Sequence, residues 1–420
     1  MDGEVFFDAH CHALTLSHPN FLSFAETLRE RRSELIYSQI RSPDFLARAL
    51  FRHRGDTLRN MLAVMENSPG GIFELMEDDL LGLYAKEGDP PPLVRDGALA
   101  MNGRRYDRVA LCPLIMDFDN PGRARSEAYY YRPPAASIDA QIRDVLIGIR
   151  DYRRARPDGM LEIHPFLGVN TRNHTAESLC LFLGHHLGDF EPDWDRARSS
   201  FLAMYGYSSN EGSVIGAPPG GACLFAGVKL YPPLGFDPWP DDGEEREKVE
   251  LLYGFCERLE IPIITHCDDR GFRVISMEEA FAFTAPSRYR AALERFPRLK
   301  IDLAHLGRQY SARRGRAAAA EWFDDALDLV VAYDGVYADV SFNGVEPAYY
   351  ERLADALAVL DGAARAKIES RLLFGTDFAV NLIAVRSYAD YYRIFDASPL
   401  DPALRARMCN ENPARFLFGG

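Results

Sequence analysis

The stretch Val5-Phe6-Phe7-Asp8-Ala9-His10-Cys11-His12 puts two histidines two residues apart at the end of an apolar run. Side chains two apart on an extended strand share a face. His10 and His12 are therefore expected to point the same way from one strand end; the ordinary alternative is a pair of satisfied polar residues. The same pattern recurs outward along the chain. Lys229 (Gly227-Val228-Lys229-Leu230), His266 (Ile263-Ile264-Thr265-His266), His305 (Asp302-Leu303-Ala304-His305) and Asp377 (Phe374-Gly375-Thr376-Asp377) each follow or end a short β-type run. One such residue is uninformative. The ordered set points to strands that deliver ligand and acid–base groups to one end of a sheet.

Eight strand-like runs can be marked: 5–9, 109–116, 163–169, 225–231, 262–265, 300–304, 336–341 and 372–376. They are short and rich in Val, Ile, Leu and Phe, as strands buried on both faces of a parallel sheet are. From the fourth onward they start at 225, 262, 300, 336 and 372, a spacing of 36 to 38 residues. Helical patterns lie between them at 244–260, 317–332 and 347–369. Alternating strand and helix at a steady period predicts consecutive βαβ units. Eight of these closing on themselves make a (β/α)8 TIM barrel, an α/β fold. The first half is less regular. Residues 21–87 read as largely helical, with an N-cap signal at Ser42-Pro43-Asp44, and 172–224 hold a helical stretch and the Gly/Pro-rich segment 216–221. The expectation is one domain over 1–420, with insertions at about 13–105 and 172–224, after the first and third strands, capping the active site.

With 420 residues, 47% of them hydrophobic, the chain can bury a large core. A formal net charge of -14 lacks the basic footprint of a nucleic-acid binder. No apolar run has the roughly 18 residues needed to span a membrane, and Met1-Asp2-Gly3-Glu4 lacks the basic start of a secretory signal. Seven cysteines without a CxxC pair read as reduced thiols. Together these predict a cytoplasmic protein acting on a small molecule, with neither nucleic acid nor membrane as partner. The cluster Tyr129-Tyr130-Tyr131 reads as a lid or as a subunit contact, the latter giving a homo-oligomer. No GxGxxG, GxxxxGK[ST] or GxSxG motif occurs, so dinucleotide, P-loop and serine-hydrolase readings lose support.

Neutral imidazole binds zinc and similar ions, and His266 and His305 end two successive strands. Asp377 is either a helix N-cap or a carboxylate beside a metal and its water. In that second place it can take the water's proton. A lysine at the position of Lys229 is costly unless it has a task. It can bridge two metals as a carbamate, hold a substrate carboxylate as an ammonium, or snorkel to the mouth. Tyr231, Arg270 and Arg308 follow the ligand candidates closely and are candidates for substrate binding, Arg suiting carboxylate or phosphate; a loop-surface role is the alternative for each.

The set His10-x-His12, Lys229, His266, His305 and Asp377 resembles the amidohydrolase superfamily of metal-dependent barrels. The stretches Gly227-Val228-Lys229-Leu230-Tyr231-Pro232, Phe374-Gly375-Thr376-Asp377 and Asn412-Pro413-Ala414-Arg415-Phe416-Leu417 resemble its amidohydrolase 2 branch. The resemblance covers 5–15 and roughly 105–420. It implies a barrel without a flanking β-sandwich. It also implies a divalent metal, zinc foremost and one or two per chain, on His10, His12, His266 and Asp377. His305 would hold a second metal or act as acid and base, and Lys229 falls where binuclear members carry the carbamate. The implied reaction is attack of metal-activated water on an amide, lactone or ester carbon, with Asp377 moving the proton. Two rivals remain: a metal-dependent non-oxidative decarboxylase of an aromatic or unsaturated carboxylic acid, and a ligand-binding barrel without turnover.

Overall fold

The computed structural model describes residues 4–18, 55–119, 137–207, 223–310, 321–346 and 348–419. The strands are β1 (Val5–Cys11), β2 (Val94–Arg95), β3 (Ala98–Met101), β4 (Arg104–Tyr106), β5 (Arg108–Pro113), β6 (Leu161–Ile163), β7 (Phe166–Gly168), β8 (Gly227–Leu230), β9 (Ile263–Thr265), β10 (Ile301–Leu303), β11 (Val336–Asp339) and β12 (Leu372–Leu373). With helices between them, the chain is α/β. All eight strand positions expected from the sequence carry strands. β1, β5 and β6 form one parallel sheet, and β7 to β12 form another in sequential order.

β6 and β7 occupy one strand position, broken at Pro165, which has no N–H for the ladder. The break is bridged: His164 N–H donates to Leu111 O (2.8 Å), and Leu114 pairs with Phe166. At the far edge, Ala9 N–H donates to Phe374 O and Thr376 N–H to His10 O, both at 3.0 Å. These two bonds tie the segment after β12 to β1.

Alternation along the strands separates two apolar clusters. A small one takes Val5, Phe7, Ala9, Ala110, Cys112, Leu114, Phe166, Ile264, Tyr337 and Leu373, with Phe416, Leu417 and Phe418 of the last helix. The large one takes the opposite faces, including Phe6, Val109, Leu111 and Val228, together with the covering helices. In β1 the alternation breaks. Ala9 belongs to the small cluster and Cys11 to the large one, and the pairing register with β5 shifts between Asp8 and Cys11. Such an irregularity re-aims the side chains that follow it, here His10 and His12.

The helix expected at 244–260 is Gly243–Leu259, capped by Asp242. The pattern at 347–369 resolves into two helices, Ala348–Val359 and Gly362–Glu369. Asp361 divides them, its carboxylate accepting from the N–H groups of Ala363 and Ala364. In the first insertion, helices Gly55–Met65 and Pro69–Leu80 agree with the helical reading. Strands β2 to β4, an antiparallel meander, were not anticipated. The meander lies toward the start of β1: the Asn102 N–H donates to Asp396, and Asp107 N–H donates to Glu4 O. Ser42-Pro43-Asp44, Tyr129-Tyr130-Tyr131 and the Gly/Pro-rich 216–221 lie outside the described residues.

Candidate metal centre

The carboxy-terminal ends of β1, β8, β9, β10 and β11, with the segment after β12, converge on one buried cluster of imidazoles and carboxylates. His10, His12 and Asp377 form one group whose ligand atoms lie within 4.8 Å of each other; His266, Asp268 and His305 form a second by the same measure. The His10 and His305 rings are 5.0 Å apart, which sets the groups side by side.

Backbone geometry aims these residues. His305 (φ 63°) and Asp377 (φ 58°) both hold left-handed conformations, which are uncommon outside glycine and cluster at functional sites. Asp377 N–H donates to His10 O at 2.7 Å, pinning the carboxylate against the His10-x-His12 strand. Gly375 makes the approach feasible, since a Cβ there would sit 2.5 Å from His10 Cβ. Asp8 adds a clamp, accepting from Thr376 N–H (2.9 Å), Thr376 Oγ–H (2.7 Å) and Tyr388 O–H (2.9 Å). Burial pushes the Asp8 carboxyl up to about 7.

Hydrogen bonds fix the imidazole tautomers. His10 Nδ1 donates to Asp339 Oδ2 at 2.7 Å. His12 Nδ1 lies 3.0 Å from Leu114 O, an acceptor only, so it carries the proton. Each Nε2 then presents a lone pair. His10 Nε2 is buried with no hydrogen-bond partner among the described residues. His12 Nε2 faces Asp377 Oδ1 at 3.1 Å, and His10 Nε2 lies 3.6 Å from the same oxygen. Lone pairs aimed at a carboxylate repel it unless a cation lies among them. This donor set, two Nε2 atoms and a carboxylate with His10 backed by a second carboxylate, fits a divalent metal.

Electrostatics agree. Burial pushes the His10 imidazole down to about 3, against the pull of Asp339, so it is neutral as a ligand must be. Burial raises the Asp377 carboxyl, but positive charge at the His12, His305 and His10 positions would outweigh it and hold it below its ordinary value. Asp339 ends below the carboxylate range for the same kind of reason, chiefly through His10. Beside it, burial and the Asp339 charge raise Asp302 well above that range.

Of the sequence candidates, His10, His12, His266, His305 and Asp377 come together directly. Lys229 is 1% exposed, and its Nζ has no hydrogen-bond partner among the described residues. Burial lowers its ammonium to about 8, opposed by Asp339, Asp377, Asp302 and Asp268. The Tyr231 ring packs 4.5 Å from the His266 ring, and its hydroxyl accepts from Phe272 N–H. Arg270 is exposed and stacks its guanidinium 3.7 Å over Tyr310, while its carbonyl accepts from His266 Nε2. Arg308 is engaged by the protein itself, donating to Asn343 (2.9 Å) and pairing with Glu346 (2.7 Å).

Sequence reasoning missed Asp339, Ser341 and Asp302. A usable signal was present: Asp302 and Asp339 are charges inside apolar strand runs, as costly there as Lys229.

Comparison with known proteins agrees with the motif resemblance. Residues 221–419 match the protein-family model described as Amidohydrolase. Among solved structures, a 2,6-dihydroxybenzoate decarboxylase in complex with 2,6-dihydroxybenzoate is similar at 14% identity and TM-score 0.44, over 99% of each chain. A weakly promiscuous lactonase used as a template for organophosphate hydrolysis is similar at 14% identity and TM-score 0.42, over 99% of this chain and 95% of the other. A probable 2-pyrone-4,6-dicarboxylic acid hydrolase of Acinetobacter baumannii, with citric acid bound, is similar at 14% identity and TM-score 0.38, over 73% and 98%. Such scores decide neither reaction nor substrate. Among curated proteins no sequence matches.

Proposed function

With residues 221–419 placed in the amidohydrolase family as the premise, we propose that the chain is a metal-dependent hydrolase of a small molecule bearing an amide, lactone or ester carbon. The observation that carries this reading is the pair of lone pairs on His10 and His12, converging with Asp377 on one buried point. The strand ring is read as a closed (β/α)8 barrel of one domain, supported by the Ala9–Phe374 and His10–Thr376 backbone bonds. The centre then lies where barrel strands end and active sites form.

His10, His12 and Asp377 would hold a divalent metal, zinc suiting the mixture of imidazole and carboxylate. When bound, such a metal lowers the pKa of a coordinated water toward about 7 and polarises a carbonyl. The residues of the chain do the rest. Asp377, a carboxylate beside His12 Nε2 and His10 Nε2, would accept the proton given up in the attack. Asp339 holds His10 in its ligand tautomer through Nδ1. His305 is held from behind, its Nδ1 donating to Ser341 O at 3.1 Å, and its Nε2, 3.2 Å from His266 Nδ1, would polarise the substrate or hold a cation. Phe118 and Phe272, packed edge to face at 5.9 Å, and Tyr231 supply an apolar wall beside His266.

The test is a panel of lactones, esters, amides and aromatic carboxylic acids offered to the metal-loaded chain in isotopically labelled water. Incorporation of one solvent oxygen into product, abolished in Asp377→Asn, supports hydrolysis. Release of carbon dioxide without solvent oxygen in the organic product would replace the hydrolase by a decarboxylase. Binding without turnover across the panel would favour a ligand-binding barrel.

A further inference from the structure

Beyond His266 and His305 the loops after β9 and β10 run together as a short ladder. Asp268 and Arg308 pair as a parallel bridge, and Asp269 N–H donates to Arg308 O at 3.2 Å. Tyr310 N–H then donates to Asp269 Oδ1 at 2.8 Å. Gly271, at φ 113°, lets the first loop lie close against the cluster: a Cβ there would sit 2.9 Å from His266 Nε2. The ladder therefore carries Tyr310 to the rim of the buried cluster, with Arg270 and Arg308 beside it.

Both guanidiniums lie over the Tyr310 ring, Arg270 Cζ 3.7 Å and Arg308 Cζ 4.5 Å from its centroid. Arg308 is anchored in turn on Asn343 and Glu346 in the loop after β11. A ring attracted by two cations is held in one orientation. A phenylalanine would take the two cations as well, so the stack alone does not call for a hydroxyl. That hydroxyl, on a half-buried side chain, has no hydrogen-bond partner among the described residues. A partly buried polar group without a partner is costly unless something else meets it. The charges of Asp268 and Asp377, one from each ligand group, both reach it. Burial and these charges raise it above the ordinary tyrosine value, against the pull of the two arginines, so it stays a donor.

Resting on the hydrolase reading above, we infer that Tyr310 is a donor to the substrate. Its hydroxyl hydrogen-bonds the acyl oxygen on which negative charge develops during the attack, and Arg270 and Arg308 are positioning residues that hold the ring for it. Tyr310 keeps its own proton throughout; the proton of the attacking water goes elsewhere, to Asp377 in the reading above. A donor fixed in advance needs no reorientation as charge develops, which is where such groups contribute most. Tyr310 lies five residues past His305 and outside every strand-like run, so the sequence pattern did not mark it.

The experiment uses the full-length chain loaded with zinc. Tyr310→Phe keeps the ring and its two cations and removes the hydroxyl alone. Arg270→Met removes one cation, and Arg270→Lys restores a charge in its place. For each protein kcat and KM are measured on any ester or lactone that the wild type hydrolyses. Calorimetry gives the affinity for benzylphosphonate, whose tetrahedral oxyanion resembles the attacked acyl group, and zinc content and melting temperature are recorded alongside. Tyr310→Phe is expected to lower kcat about 100-fold with KM little changed, and to weaken the phosphonate at least about tenfold. Its zinc content and melting temperature should match the wild type. Arg270→Met should lower kcat in the same direction by less, and Arg270→Lys should recover part of that loss. Wild-type kcat and phosphonate affinity in Tyr310→Phe would overturn the inference and leave the hydrolase standing. So would a loss of kcat that follows a loss of zinc or of melting temperature. Phosphonate binding that Tyr310→Phe weakens, with no hydrolysis by the wild type, would remove the hydrolase and keep Tyr310 as a donor to the ligand. Neither hydrolysis nor binding by the wild type would remove both.

Discussion

Gly375→Ala tests the link between fold and site most sharply. A Cβ at this position would lie 2.5 Å from His10 Cβ, 3.1 Å from His10 N and 3.1 Å from Ser341 Cβ. Carbon atoms in contact sit about 3.5–4.0 Å apart, so the segment after β12 and β1 must part by about 1 Å. They cannot do so freely, because Thr376 and Asp377 both donate their N–H groups to His10 O. Overpacking of this kind costs about 1–3 kcal/mol. In a chain of 420 residues, that lowers the melting temperature by roughly 1–3 °C. The larger effect falls on the ligands. A metal constellation tolerates about 0.5 Å of displacement, so the affinity of the His10–His12–Asp377 site should fall at least about tenfold. The assays are thermal unfolding of the metal-free protein and zinc titration by competition with a chromogenic chelator. Gly243→Ala is the control, since a Cβ there meets nothing within 4 Å at the start of a helix. Wild-type melting temperature and zinc affinity in Gly375→Ala would refute the claim that close packing of these segments assembles the centre.

Asp339→Asn should weaken the first metal by about 10–100-fold with the fold retained, because His10 Nδ1 loses its carboxylate partner; unchanged affinity in a chelator competition would deny Asp339 that role. Asp377→Asn should keep its circular dichroism spectrum and lose turnover of any substrate found, and full activity would exclude Asp377 as the proton acceptor. Asp8 gives a pH prediction. Its carboxyl is raised by burial from 3.8 to about 7, so its favourable contribution is complete below the unfolded value and disappears as pH rises through about 7. The difference of 7 − 3.8 units corresponds to about 4 kcal/mol. Asp8→Asn cannot ionise, so urea unfolding of the metal-free protein should show the variant gaining on the wild type by up to that amount between about pH 4 and pH 8. Parallel stability profiles would contradict it.

The parts of the fold that were legible are those governed by short-range pattern. The steady spacing from Phe225 to Leu372 and the Val/Ile/Leu runs marked every parallel strand, because a strand buried on both faces has no polar face to disguise it. His10, His12, His266, His305 and Asp377 were legible because each ends such a run. The meander was missed despite a direct signal. Asp96-Gly97 and Asn102-Gly103 link its strands, with all four residues at positive φ, and Asp-Gly and Asn-Gly are the preferred two-residue hairpin turns. The split at Asp361 was hidden because the apolar spacing continues across it while the cap acts through a single side chain. The role of Asp339 is of another kind. It depends on which imidazole nitrogen the carboxylate meets far along the chain, as in the Asp339–His10 bond, and local pattern carries no trace of that.

The proposed function stands on His10, His12 and Asp377 holding a divalent metal. Its most direct test is elemental analysis of the full chain purified without chelators, beside His12→Ala purified in the same way. At least one equivalent of a first-row divalent metal is expected on the wild type, with loss of that equivalent in His12→Ala. A folded wild-type protein that carries no metal, and takes up none from added zinc, manganese or iron(II), would contradict it.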